Sequence, residues 1–82
     1  MLYIVFNHPL PSTGVFTMEC HVGTAAWKNL SHVARNQEIK YIQADGDELE
    51  AIIRAFDVIP MMPTGRVKLW AGDIARSILL NL

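Results

Sequence analysis

Apolar positions along this chain change period several times, and each change marks an element. Leu2 to Phe6 is a continuous apolar run of β-branched and aromatic character, ended by Asn7-His8-Pro9. Such a run predicts a strand buried on both faces and central in a sheet. Residues 7–14 contain two prolines and a glycine, which exclude regular structure and suit a wide hairpin connection. From Val15 to Val22 the period is two: Phe16, Met18, Cys20 and Val22 alternate with Thr17, Glu19 and His21. That is the pattern of a half-buried strand, antiparallel to the first.

After Gly23 the period lengthens. Ala26, Trp27, Leu30, Val33 and Ala34 recur at spacings of three and four, so a helix is expected with Thr24 as its N-cap. Ile39 to Ala44 reads as a third strand, and Asp45-Gly46-Asp47 turns the chain. Asp47 and Glu50 have the spacing of a capping box ahead of a helix whose stripe is Leu49, Ile52, Ile53 and Phe56. Arg66 to Ala71 alternates again, with Val67, Leu69 and Ala71 on one face and Arg66, Lys68 and Trp70 on the other. Gly72 ends that strand, and Asp73 is placed to cap a last helix carrying Ile74, Ile78, Leu79 and Leu82. The predicted architecture is α+β in the order β-β-α-β-α-β-α. It is a mixed four-stranded sheet with helices mainly on one face, the helical connections favouring parallel pairing among the later strands.

Composition narrows this picture. A chain of 82 residues without a linker or low-complexity tract makes one domain spanning 1–82. Its 51% hydrophobic content leaves apolar surface over after a small core is filled, a first sign of a protein partner or of self-association. The net charge of −1 argues against a general nucleic-acid binder. One cysteine allows no internal disulfide, and no apolar run reaches the ~20 residues of a membrane span, so a reducing cytoplasm is the expected setting.

The candidate chemistry is sparse. His8, Cys20, His21 and His32 show no paired spacing of a zinc site. Cys20 falls on the apolar face of its strand, which suits a small core residue better than a nucleophile paired with His32. The acidic turn of Asp45, Asp47, Glu48 and Glu50 could hold a divalent ion or serve a small ligand or an enzymatic site, but it lacks the spacing of an EF-hand loop, and capping accounts for it. No glycine pattern suggests a phosphate cradle, and no cofactor is implied. The third strand, the helix and the apolar–Pro pair Ile59-Pro60 before a strand and final helix resemble the later half of a thioredoxin-like domain. The redox CxxC of that family is absent here, so the resemblance implies no activity.

The most unusual stretch is Val58-Ile-Pro-Met-Met-Pro-Thr-Gly65, an apolar connector stiffened by two prolines. It serves either as irregular core or as a patch that meets a partner. Together with the Arg66/Lys68/Trp70 face it leads to the expectation of a small protein-binding module. That module would be an adaptor, an inhibitor or an assembly subunit, of the kind often encoded by phages or mobile elements, and capable of dimerising. Its expected contact residues are Met61, Met62, Arg66, Lys68 and Trp70. The alternatives are a ligand, metal or enzymatic site at residues 45–50, or single-stranded nucleic acid stacked on Trp70.

Overall fold

A computed structural model describes residues 1–56 and 67–82. The elements follow in the order β1 (Leu2–Phe6), β2 (Thr17–Cys20), α1 (Ala25–Lys28), α2 (Leu30–Asn36), β3 (Ile39–Ala44), α3 (Gly46–Ala55), β4 (Lys68–Ala71) and α4 (Gly72–Leu80). The strands form one four-stranded sheet in the order β2-β1-β3-β4. This is the expected α+β domain, with β1 inside the sheet and antiparallel to β2. Met61, Met62 and Arg66, with the whole connector that carries them and Pro60, lie outside the described residues.

The sheet is antiparallel throughout, so the parallel pairing expected of the later strands is not found. The crossover through α1 and α2 does link two strands of the same direction, β2 and β3. Between them lies β1, which is antiparallel to both. The connection from β3 to β4 contains a helix and yet joins antiparallel neighbours.

One face of the sheet is buried. Leu2, Ile4, Phe6, Cys20, Ile42, Ala44 and Trp70 alternate into a core completed by Leu30, Ala34, Ile52, Ala75, Ile78 and Leu79. Helix α4 lies on β3 and β4, and α2 packs beside α4. On the other face Tyr3, Val5, Tyr41, Gln43 and Leu69 are half-buried. Strand β1 is therefore covered on one side, not both. Its apolar run reflects a strand whose second face still carries Tyr3 and Val5.

The helices depart from expectation by small rotations and a break. The first helical stretch is divided at Asn29, whose N–H is shared between the carbonyls of Ala25 (3.1 Å) and Ala26 (3.2 Å). Thr24 caps it as expected, accepting from the Trp27 N–H at 3.3 Å. The N-cap of α3 is Asp45 rather than Asp47, so its buried face runs through Glu48, Leu49, Ile52 and Phe56, and Ile53 is exposed. Similarly Asp73 lies in the first turn of α4, not at its cap; Ala75, Ile78 and Leu79 are buried and Ile74 is exposed.

Both strand-to-helix corners, at Gly46 and Gly72, use a glycine at φ +56°. A side chain at Gly72 would meet nothing within 4 Å, so only the backbone conformation resists substitution. Gly72→Val is expected to lose about 1–2 kcal/mol through the left-handed conformation alone. A urea melt with a lower midpoint and an unchanged slope would show it, and an unchanged midpoint would mean that the corner relaxes without strain.

Candidate functional site

An open concavity lies where the β1–β2 connection, the edge strand β2 and helix α2 meet. The connection folds back on itself: the Leu10 N–H donates to the Val15 carbonyl at 2.8 Å, and the Gly14 N–H to the Leu10 carbonyl at 2.7 Å. This holds Leu10, Ser12, Thr13 and Val15 as one wall. Helix α2 supplies the other wall through two pairs four residues apart, His32 with Asn36 and Val33 with Gln37. Met18 and Thr17 of β2 complete the lining. The result is an open groove of about 530 Å³. Leu10, Met18 and Val33 join it to the core.

The groove is apolar within and polar at its rim. The Asn36 side-chain amide donates to the His32 carbonyl at 2.8 Å and lies 3.5 Å from His32 Nε2. Among the described residues no carboxylate lines it. In the connection just ahead of β2, Val15 of the groove wall is 47% and the adjoining Phe16 50% exposed. A concavity of this size suits a small ligand or the side chains of a bound segment. Its polar lining groups are Ser12, Thr13, Thr17, His32, Asn36 and Gln37. No nucleophile with an adjacent base is among them.

A second cluster joins the chain's start to α3. Glu48 has a side chain only 5% exposed. Its Oε2 lies 3.2 Å from the Met1 ammonium, and its Oε1 lies 3.0 Å from His21 Nδ1. The Met1 ammonium also donates to Asp45 Oδ1 at 2.6 Å and to the Asp45 carbonyl at 3.0 Å. Burial pushes the Glu48 carboxyl up, but the ammonium, a backbone N–H and His21 together bring it below the usual carboxylate range. Burial likewise pulls the Met1 amine down, and its hydrogen bonds to Asp45 and Glu48, with their charges, raise it overall. Both Glu48 oxygens are thus engaged, and the cluster is a clasp between β1, α3 and the end of β2.

The acidic turn is accordingly shared among different partners. Asp45 and Glu48 hold Met1, Glu50 lies 3.8 Å from Arg54, and Asp47 sits exposed in the first turn of α3. Among the described residues no three His, Cys, Asp or Glu side chains gather as a metal site would require. Cys20 is buried, and burial, followed by the charge of Glu48, pushes its thiol up to about 11. A thiol so raised is a poor nucleophile at neutral pH.

Of the expected contact residues, Lys68 is half-buried, and Trp70 is 1% exposed. Trp70 and Lys68 do share a face, opposite Ile42 and Ala44, but that face is the core side. Trp70 is therefore packed beneath the helices and is not part of an exposed basic–aromatic strip. Of the residues that build the groove, Leu10, His32 and Asn36 carry no signal in the sequence beyond a loop leucine and the polar side of a helix, and Val15 reads as the first residue of the alternating strand. No family model, curated protein or solved structure matches this chain.

Proposed function

We propose that this chain is a small protein-binding module that receives its partner at the groove between β2 and α2. The carrying observation is the pairing of an open apolar groove of about 530 Å³ with exposed Val15 and Phe16, which lead directly into the edge strand β2. An apolar concavity beside an unpaired strand edge is a common seat for another polypeptide. A role as adaptor, inhibitor or assembly subunit fits a short chain that carries a recognition surface and, among its described residues, no catalytic pair. The apolar surplus in the composition supports the same reading. The partner's seat in this proposal is the groove, in place of the strand face that includes Trp70.

The test compares the tagged wild type with V15E/F16E in capture from the source lysate, alongside the solution mass of each. Both positions are about half exposed, so the double variant is expected to melt within a few degrees of the wild type. A near-stoichiometric partner lost in the variant supports the reading, and that partner is a second copy if the solution mass doubles. A partner retained by the variant places the contact elsewhere. An empty wild-type lane together with a monomeric mass would overturn the proposal.

A further inference from the structure

The groove also indicates what kind of segment fills it, on the premise that it is the partner's seat. Strand β2 is an edge strand, and its pairing with β1 fixes which backbone groups are free. The Phe6 N–H donates to the Phe16 carbonyl at 2.8 Å, so Phe16 faces β1. By alternation Met18 and Cys20 face β1 as well, and the N–H and C=O groups of Thr17 and Glu19 point outward from the sheet. A strand laid along this edge would find main-chain partners there, with its helix-side residues beside Met18 and Val33 in the groove.

The charge of the helices that border the groove selects the segment. From Cys20 to Gln37 the chain has no acidic residue, while Lys28, His32 and Arg35 step along α1 and α2 at spacings of four and three. His32, Arg35 and Lys28 are exposed. The nearest carboxylates in sequence, Glu19 and Glu38, do not line the groove. Glu38 lies 3.5 Å from His8, and Glu19 lines a hollow on the opposite face of the sheet with Tyr3 and Gln43.

We infer that the groove takes an extended, acidic and apolar segment of a partner protein. The segment adds to β2 as an edge strand, sets an apolar side chain into the groove, and places a carboxylate against His32 in the lining, with Arg35 exposed one turn further along α2. A nucleic acid would also be drawn to positive charge, but the groove wall is apolar and the chain as a whole is weakly acidic.

The experiment is a selection of short random peptides on the intact chain, followed by titration of the enriched peptides into three proteins. These are the wild type, Asn36→Trp, which fills the groove from an exposed helix position, and H32E/R35E, which makes the exposed side of α2 acidic. Thermal melts confirm that each is folded. Enriched peptides are expected to be net acidic with apolar residues at alternate positions. Asn36→Trp should abolish their binding, and H32E/R35E should weaken it at least about tenfold, with recovery when the peptide's acids become lysines. N-methylation of alternate peptide amides should also abolish binding, because an added strand needs those N–H groups. Peptides that depend on the groove but are neutral or basic, or that tolerate N-methylation, would overturn the inference and leave the groove's role standing. Failure to enrich any groove-dependent peptide would overturn both. Salt-sensitive binding of a single-stranded oligonucleotide, lost in H32E/R35E, would replace the peptide with nucleic acid.

Discussion

Trp70→Ala is expected to remove about 3–5 kcal/mol of stability, the range for deleting a large buried aromatic. A domain of 82 residues holds about 4–12 kcal/mol in total, at ~0.05–0.15 kcal/mol per residue. The variant should therefore melt at least ~12 °C below the wild type or fail to fold at ambient temperature. The large effect follows from position. Trp70 is fully buried on β4, opposite Ile42 of β3, in the core that α4 covers. Its indole Nε1–H is buried without a hydrogen-bond partner among the described residues. Trp70→Phe keeps most of the ring and removes that orphaned donor, so it should lose far less, about 1 kcal/mol or under. A thermal melt in which Trp70→Ala matches the wild type would return Trp70 to the surface. The basic–aromatic strip would then stand again as the contact face.

Trp70 also shows what periodicity does and does not convey. Alternation correctly placed Lys68 and Trp70 on one face of β4, as their pairing with Ala44 and Ile42 requires. It could not say which face turns inward. Lysine and arginine suggested outward, but the burial of an indole outweighs the wetting of a lysine whose stem can run along the strand toward water. The helices repeat the lesson. A stripe of Leu49, Ile52, Ile53 and Phe56 fits a helix well, yet the packed face is rotated toward Glu48, because Asp45 begins the helix and Glu48 answers Met1. Antiparallel order escaped detection because β1 enters between the two parallel strands joined by α1 and α2, and a connection rule does not report insertions.

The candidate site was the least legible part. Its walls come from a Pro-rich connection and from the polar side of α2, elements far apart in sequence and brought together only by the β1–β2 hairpin and the packing of α2. The alternation from Val15 to Val22 predicts a half-buried strand over the whole stretch, but the strand begins at Thr17 and leaves Val15 and Phe16 exposed. The charge asymmetry between Cys20 and Gln37 was present in the sequence, but it acquired meaning only when α2 was seen to border an apolar groove.

Glu48→Gln is expected to lose about 1–3 kcal/mol at neutral pH, the scale for hydrogen bonds to a buried charge. Glutamine preserves the shape, so the loss isolates the charge that faces Met1 and His21. The variant should also change the pH dependence of stability. In the folded chain the Glu48 carboxyl titrates below its unfolded value of 4.5, so on acidification the unfolded chain binds that proton first. Its contribution is fully present above pH 4.5 and lost as pH falls through the lower, folded value. The Met1 amine titrates above its unfolded value of 8.0. Its contribution is fully present below pH 8.0 and lost as pH rises through the higher, folded value. Between pH 4.5 and pH 8.0 both contributions are complete, and the wild type should show a plateau there, other groups apart. Glu48→Gln should flatten the acid limb, because the depressed carboxyl is gone. It should weaken the alkaline limb only in part, because Asp45 still accepts from Met1 at 2.6 Å. Urea midpoints measured across this range, for wild type and variant together, test the clasp directly. Coincident profiles below pH 4.5 would mean that water, not Met1 and His21, sets the state of Glu48, and the clasp would then contribute nothing to holding β1 against α3.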